Sequence, residues 1–347
     1  MPYLDPWGDG FNLVSHIEAI NLMPNKYDKL TRMGLFRPVP VSTDAFPLEV
    51  KKNQMSLVPV SPRGSAKYSG ARGSRFLNYV DIPSTVVVDE VLAADIVAKR
   101  RFGSVDQFEG FPEALAEKQQ LVKDSIDQTM EYRQLSALKG KVLDADATSV
   151  IFDPYELFKM TRVTFDFDLV DSSGNVVAAT DVAQKCRNLK RFFKKRAFGE
   201  RIGEPLILCS PSFFDALKSH PNVEKFYLNY QAAQNLINGG SGEEIFRFEG
   251  VTFEVYDADV PSYPDGRMVS FFDEYEGAGL PLGTVNTFVT GIAPAHTKQF
   301  VNTLGVPYYS WSREKDWDEG TEFKVESNQL PILLRPQLSV GVNAVKQ

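Results

Sequence analysis

Cysteine and histidine are scarce in this chain of 347 residues, which has two cysteines and three histidines. Cys186 and Cys209 lie in different segments without metal-ligand spacing, so we predict no disulfide framework and a reducing compartment. His16, His220 and His296 have no partners at ligand spacing either. We therefore expect no histidine-based metal site or general base, and we interpret all three histidines as solvated or loop residues.

A membrane helix is also missing from the sequence pattern, since no stretch approaches the roughly 20 apolar residues that such a helix needs. The N-terminal sequence MPYLDPWGDGFNLVSH has prolines and acids where a signal peptide has a basic start and an apolar run. These features predict a soluble protein that does not contact a membrane and is made and used in a cytoplasm.

Basic residues are outnumbered, with 38 Lys and Arg against 45 Asp and Glu, and the formal net charge is -7. This balance argues against a dedicated nucleic-acid binder, which usually has a basic face and a basic overall charge. It is compatible with a protein that lies near DNA without binding it sequence-specifically.

Catalytic patterns are few. Cys209 followed by Ser210 has the form of a nucleophile at a helix start, but packing explains it better. In that interpretation, Cys209 ends a buried strand, Ser210 caps a helix and Pro211 occupies the first turn. The loop INGGSGEE (237–244) has neither the Gly-Lys-Ser/Thr end of a phosphate loop nor the strand that precedes a dinucleotide fingerprint.

The alternating acids of DFDLVD do not form a calcium motif either. Asp166 and Asp168 are expected on one solvated strand face, and Val170 stands where an EF-hand loop needs an oxygen ligand. We predict no catalytic, cofactor-binding or metal-binding residue, and no cofactor.

Residues 1–45 have many prolines and few periodic apolar positions apart from a short helix that fits residues 13–22. They predict an extended arm that must lie on another surface because it has no core of its own. Removal of residues 1–40 is therefore expected to leave a folded body.

Two strand-like stretches, FPLEVKKNQMSLVPV (46–60) and FLNYVDIPSTVVV (76–88), predict a long β-hairpin. An isolated hairpin is marginally stable in water, so this one needs a neighbour to rest on. Its tip is a glycine- and serine-rich stretch, here called the basic segment (residues 61–76), which has four cations and no acid. The cations are Arg63, Lys67, Arg72 and Arg75.

Residues 112–139 predict one long helix, with Pro112 in its first turn and Gly140 as its stop. Its apolar stripe is narrow, so much of the helix is expected to lie across a surface. A second helix is predicted at 180–196 with Thr180 as N-cap. Strands are predicted at 142–152, 164–170, 246–258 (a pair with a turn at Glu249-Gly250), 264–272 and 321–342. The class is α+β.

The second predicted helix ends in KRFFKKR, the strongest positive cluster of the chain. Its cations suit the negative end of the helix dipole. They fit either a solvated helix end that pairs with acids of a neighbour, such as REKDWDEGTE (313–322), or a contact with phosphates. The residues of this basic cluster are Lys190, Arg191, Lys194, Lys195 and Arg196.

The order of an arm, a basic-tipped hairpin, a long helix and an α+β body resembles the major head protein of tailed bacteriophages. That protein has the Hong Kong 97-like capsid fold. The sequence is most similar to the lambda-type branch, the phage major capsid protein E family, over nearly the whole chain. The stretches that carry the resemblance are LVPVSPRGSAKYSGARGSR, MEYRQLSALKGKV, FEGVTFEVYDADV with PDGRMVSF, and LPILLRPQLSVGV.

The resemblance implies a structural protein without enzymatic activity. It would self-assemble into pentamers and hexamers of an icosahedral head that encloses double-stranded DNA. Implied partners are further copies of the chain, a portal, a separate scaffold protein and a decoration protein. The implied location is the virion capsid, assembled in the host bacterial cytoplasm. The cations of the basic segment would contact an adjacent subunit.

The same resemblance implies a division of the chain into named parts. They are an N-terminal arm (1–45), an E-loop hairpin (46–98), a peripheral domain with the long spine helix (99–202), an axial domain (203–318) and closing peripheral strands (319–347). Crosslinked members of this fold join a hairpin lysine to a neighbour's asparagine near a glutamate. Lys67 lies on the tip, but no Asn-Glu pair matches, so we predict no crosslink.

Two other functions remain open at this point. An encapsulin-like compartment shares the fold but would load cargo enzymes in place of DNA. A cytoplasmic α+β enzyme with a site near Cys209 or Asp166 would explain neither the arm nor the hairpin.

Overall fold

The computed structural model describes residues 29–52, 74–96, 110–198, 200–224, 226 and 245–346. Helices and strands alternate irregularly within these ranges, which confirms the predicted α+β class. The helix predicted at residues 13–22 and the tip of the predicted hairpin lie outside them. No helix in the described ranges is long and apolar enough to cross a membrane.

The helices that position the sheets differ greatly in length. They are α1 (Lys29–Arg32), α2 (Ala93–Ile96), α3 (Phe111–Lys139), α4 (Pro154–Phe158), α5 (Val182–Arg196) and α6 (Pro211–Ser219).

The strands of the first half are β1 (Arg37–Pro40), β2 (Ala45–Lys52), β3 (Ser74–Asp81), β4 (Thr85–Leu92), β5 (Val142–Leu143), β6 (Val150–Phe152), β7 (Val163–Val170), β8 (Pro205–Cys209) and β9 (Ile245–Phe248). Those of the second half are β10 (Val251–Val255), β11 (Asp259–Pro261), β12 (Met268–Ser270), β13 (Glu276–Pro281), β14 (Phe288–Ile292), β15 (Tyr309–Glu314), β16 (Gly320–Ser327), β17 (Gln329–Leu333) and β18 (Val340–Val345).

The largest sheet has six strands in the order β7-β18-β13-β8-β10-β9. Two of its pairs are parallel, β7 with β18 and β8 with β10, and the others are antiparallel. Two three-stranded sheets have the orders β1-β14-β17 and β15-β16-β4. The ribbons β2-β3, β5-β6 and β11-β12 complete the arrangement. A domain division at residues 202 and 318 would therefore pass through the six-stranded sheet.

Strand β8 explains why the six-stranded sheet forms a central layer, because all of its residues are buried. Successive side chains of a strand point to opposite faces. Leu206 and Leu208 pack in the core that contains Leu135 of α3, whereas Ile207 and Cys209 pack in the core of α5 and α6. A strand that is apolar on both sides requires helices on both faces of its sheet.

The spine helix α3 has the predicted start and stop. Pro112 lies in its first turn, and Gly140 follows it with a left-handed φ of 115°. The Gly140 N–H donates to the carbonyls of Ser136 and Ala137, which closes the helix as glycine C-caps do. The expectation that this helix lies largely across a surface is wrong for its C-terminal part, where residues 130–138 are all buried.

The last part of the predicted arm is built into the body. Leu30 of α1 is fully buried, and Phe36 packs edge-to-face on Phe288 with ring centroids 5.6 Å apart. Strand β1 pairs in parallel with β14. The premise that the arm has no part in the core is therefore wrong for residues 29–40, whereas the survival of a folded body after removal of residues 1–40 stays a prediction.

Helix α5 begins one residue later than predicted. Its N-cap is Asp181, whose side chain accepts from the Gln184 N–H. Thr180, the predicted cap, instead donates its hydroxyl to the Asp168 carbonyl at 2.7 Å. Asp168 has a positive φ of 52° at a break in the β7-β18 register, which the simple alternation of DFDLVD did not indicate.

The core between the six-stranded sheet and α6 should be the most sensitive to truncation. Phe167 is fully buried, with its ring centroid 5.8 Å from that of Phe213 and 6.0 Å from that of Phe253. We expect Phe167→Ala to lower the free energy of unfolding by about 3 to 5 kcal/mol. The control Phe198→Ala removes an exposed ring and should change it by less than about 0.5 kcal/mol. Urea unfolding of the unassembled subunit measures both, and equal effects would contradict this account of the core.

Candidate inter-subunit surfaces

The cysteines have the structural roles that the sequence predicts. Cys209 ends the buried strand β8, and its Sγ lies 3.6 Å from the Glu254 carbonyl. Ser210 caps α6 through the Phe213 N–H, with Pro211 in the first turn. Both cysteines are buried and neither forms a disulfide bond, and burial raises the pKa of the Cys186 thiol to about 12. Neither side chain therefore has the exposed thiolate of a reactive cysteine.

One histidine does not match its interpretation as a solvated residue. His220 is fully buried at the end of α6, and its Nε2 lies 3.0 Å from the Val177 carbonyl. His296 is exposed as predicted and pairs with Asp44 at 2.9 Å. Within the described ranges no group of three or more His, Cys, Asp or Glu side chains could hold a metal ion.

The acids of β7 line a polar groove of about 540 Å³ between that strand and α5. Lys185 crosses it, with its Nζ 2.9 Å from the Asp166 carbonyl and 2.5 Å from Asp168 Oδ2. The carboxylate of Asp168 thus has a cation of its own chain as partner. The Thr180 hydroxyl, which also lines the groove, donates to the Asp168 carbonyl, so it too is engaged within its own chain.

A set of buried polar contacts along α3 was not predicted. Glu131 Oε1 accepts from the Leu30 N–H at 2.8 Å and from the Tyr256 hydroxyl at 2.8 Å. Beside these hydrogen bonds, Lys29 forms an ion pair of 2.8 Å with Glu254. Burial and the adjacent carboxylate raise the pKa of Tyr256, so its hydroxyl keeps its proton and remains a donor.

Two further polar contacts hold the same helix. Lys123 and Asp127 form an ion pair of 2.6 Å with both side chains buried, and Tyr308 donates its hydroxyl to Asp127. Arg133 pairs with Asp144 at 2.9 Å and donates to Thr85 at 2.8 Å. The only signal for these contacts in the sequence is the presence of charged residues among the apolar positions of α3.

Two residues of the basic cluster at the end of α5 contact other parts of their own chain. Lys190 donates to the Glu249 carbonyl, and Arg196 lies over the Phe192 ring, 4.5 Å from its centroid. Arg191, Lys194 and Lys195 are exposed. In the described part of the chain no ion pair joins this cluster to residues 313–322, and the pairing of the cluster with acids of a neighbour stays a prediction.

The hairpin is confirmed as the antiparallel pair β2-β3. Arg63, Lys67 and Arg72 lie outside the described residues, and Arg75 lies in β3, where its side chain is not described. The sequence pattern predicts one continuous strand at 76–88. The structure divides this stretch between two strands, because β3 ends at Asp81 and the following strand, β4, pairs with β16.

Strands β3 and β4 each expose apolar side chains on one of their faces. Leu77 and Tyr79 of β3 are 51% and 64% exposed, and Val86 and Val88 of β4 are 45% and 56% exposed. Their neighbours Val80 and Val91 are buried. Leu77 and Tyr79 are neighbours on one face of β3, and Val86 and Val88 are neighbours on one face of β4. Exposed apolar patches are typical of protein–protein interfaces.

The β15-β16 hairpin ends in an exposed acidic turn. We call residues 314–319 the Trp317 turn. Trp317 is 92% exposed and Glu314, Asp316, Asp318 and Glu319 are exposed around it. Trp317 has a left-handed φ of 65°, a conformation that a bulky side chain rarely adopts.

These elements, in this order, form the Hong Kong 97-like fold, which is the fold of phage capsid proteins. The mature capsid of bacteriophage PhiM1 aligns with a TM-score of 0.54 and 15% identity, covering 94% of this chain and 88% of that chain. The capsid of a native GTA particle aligns with a TM-score of 0.55 and 8% identity, covering 93% and 92% of the two chains. At such identities the likeness shows the fold alone.

The chain belongs to the phage major capsid protein E family, whose model matches residues 12–344. It is 26% identical over 362 residues to the major capsid protein of Salmonella phage Felix O1, with 96% of each chain covered. It is 24% identical over 345 residues to that of Pseudomonas phage KPP10, again with 96% covered. The predicted family and fold are confirmed: this is a major capsid protein of a phage, and it builds the virion capsid with further copies of itself.

The buried thiols give a direct check against the alternative of an enzyme with a site at Cys209. We expect neither cysteine to react with a chromogenic disulfide reagent at pH 8 in the folded protein, and both to react in denaturant, because thiol exchange needs an accessible thiolate. Absorbance of the released thiol measures the reaction, with Cys186→Ala and Cys209→Ala as assignment controls. Rapid reaction of one equivalent that is lost in Cys209→Ala would contradict the packing role.

Proposed function

We propose that the subunits form the pentamers and hexamers of an icosahedral head that encloses double-stranded DNA. The supporting observation is the pair of exposed apolar patches, one on β3 and one on β4, in a member of a capsid family. An exposed strand face of this kind favours association with other chains, and a closed shell covers it in every subunit. This role requires no catalytic residue and no cofactor.

The parts of the chain have distinct roles in this proposal. Residues 1–45 form the arm, although 29–45 are anchored on the body, and 46–98 form the E-loop hairpin. Residues 99–202 and 319–347 form the peripheral domain, and 203–318 form the axial domain around the symmetry axis. The six-stranded sheet then joins the two domains into a stiff unit, since its strands come from both.

The charged surfaces have separate roles. Arg63, Lys67, Arg72 and Arg75 contact acidic side chains of an adjacent subunit. The exposed cations of the basic cluster on α5 form a second charged contact between subunits. Exposed ion pairs are worth roughly 0 to 1 kcal/mol each, so these contacts act together and no single one decides assembly.

Other partners follow from the role of a phage head. The acidic balance of the chain disfavours tight binding of DNA phosphates to the shell, so the packaged DNA lies inside without sequence-specific contacts. Assembly takes place in the host bacterial cytoplasm with a portal and a separate scaffold protein. A decoration protein stabilises the finished shell, because we predict no covalent crosslink.

Electron microscopy of the purified protein tests the function directly. We expect hollow shells that contain rings of five and six subunits, because a closed shell is the arrangement in which every copy covers the exposed strands of another. The control is the same preparation in a denaturant, from which shells should be absent. Small discrete particles at all protein concentrations would contradict the proposal, and enzyme cargo inside the shells would favour the encapsulin-like alternative.

Two arm deletions should separate folding from assembly. Deletion of residues 1–28 should leave the unfolding temperature of the subunit within about 2 °C of the parent, yet closed shells should not form, because the arm is proposed to lie on a neighbour. Deletion of residues 1–40 also removes Leu30 and Phe36 from the core and should lower the free energy of unfolding by about 3 kcal/mol or more. Calorimetry and sedimentation measure the two effects. Normal shells from the shorter deletion would refute the role of the arm.

A further inference from the structure

Within the described residues, one side of the sheet β15-β16-β4 is covered by α3. The other side is covered near Tyr309, whose ring packs on that of Phe300, and is open along β4 and at the hairpin turn. On its buried side, Val91 and Phe323 pack against Leu115 and Ile126 of α3. Its other side, here called the outer face, carries the exposed Val86 and Val88 and ends at the Trp317 turn. The outer face is thus an apolar strip with an acidic, aromatic end.

The cations on the outer face are already engaged by acids of their own subunit. Lys324 lies opposite Val88 in the register, pairs with Glu326 at 2.6 Å, and lies over the Trp311 ring. Nearer the Trp317 turn, Arg313 pairs with Glu322.

Lys315 pairs with Glu90 in the same way. Lys315, the basic residue of the Trp317 turn, and Arg313, just before the turn, are therefore directed to acids of β4 and β16. In the part of the chain that the structure describes, no ion pair engages the four acids of the turn. The turn consequently presents negative charge and one large aromatic ring to its surroundings.

Resting on the function proposed above, we propose that the outer face and the Trp317 turn bind the basic segment of a second copy of this chain. The basic segment has four cations and no acid, which complements the charge of the turn. An exposed tryptophan also attracts Arg and Lys over its ring face. The glycines of the segment let it follow a surface, and its apolar flanks can cover Val86 and Val88.

Charge reversal on each side, and on both, tests the pairing. The turn variant carries Asp316→Lys, Asp318→Lys and Glu319→Lys, and the segment variant carries Glu at the four basic positions. We expect each variant alone to reduce the yield of shells at low salt by about tenfold or more, because many weak contacts act together in a shell. The combined variant should recover the yield to within about twofold of the parent, since attraction is restored with the signs exchanged.

A matched control separates the local contact from the overall charge. Glu117→Lys, Asp265→Lys and Glu274→Lys change the net charge by the same amount at exposed acids elsewhere, and this variant should assemble like the parent. Trp317→Leu keeps an apolar side chain without the aromatic ring and should weaken assembly. Sedimentation gives the shell yield, and thermal unfolding of the unassembled subunit should be the same in all variants.

The outcomes distinguish this inference from the proposed function. If the parent forms no shells, the proposed function fails. If the parent forms shells and the turn variant assembles equally well, the basic segment has another acceptor and the inference fails alone. Loss of assembly that the combined variant does not restore would assign the turn to a different partner and overturn the pairing. A lower unfolding temperature of the unassembled turn variant, absent from the control, would place the contact within one chain and overturn it as well.

Discussion

The buried carboxylate of Glu131 connects parts of the chain that are far apart in sequence. Its partners, the Leu30 N–H and the Tyr256 hydroxyl, are 101 and 125 residues away. A buried carboxylate that loses one of its hydrogen-bond donors costs roughly 1 to 3 kcal/mol or more, because the desolvated oxygen is then unsatisfied. Displacement of α1 or of the chain after β10 therefore raises the free energy steeply, and one arrangement of arm, spine and central sheet is favoured.

The other polar contacts of α3 extend the same constraint along the helix. A purely apolar helix can rotate or slide against its neighbours at modest cost, since many apolar packings are close in energy. The hydrogen bond from Tyr308 to Asp127 and the one from Arg133 to Thr85 join α3 to residues in or next to the sheet β15-β16-β4. The spine consequently has a preferred rotation and register relative to that sheet.

Local features were predictable from the sequence because their causes lie within a few residues. Pro112 and Gly140 bound the spine helix, Ser210 caps α6, and the turn at Glu249-Gly250 joins β9 to β10. Each depends on a backbone preference or a capping hydrogen bond that one short window contains.

Features that depend on distant partners were not predictable. Strand β4 pairs with β16, more than two hundred residues later, and no local pattern identifies that partner. The same reason applies to the burial of Leu30, which needs Glu131, and to the break of β7 at Asp168, which needs β18. Of the candidate site, the charge of the hairpin tip was readable from composition. That the Trp317 turn is an acceptor candidate could not be predicted from the sequence. It follows from the structure, in which Lys315 and Arg313 form ion pairs with acids outside the turn.

The apolar side chains exposed on β3 and β4 have a kinetic consequence. They are Leu77, Tyr79, Val86 and Val88. A surface that is apolar in the finished shell is also apolar in every newly folded subunit that has not yet found its place. Such surfaces associate without much selectivity, so productive assembly competes with aggregation from the moment of synthesis. The acidic net charge slows unproductive encounters between subunits through mutual repulsion. Apolar contacts between subunits must therefore be strong enough to close a shell, and the charge repulsion between subunits must be strong enough to keep them dispersed before assembly.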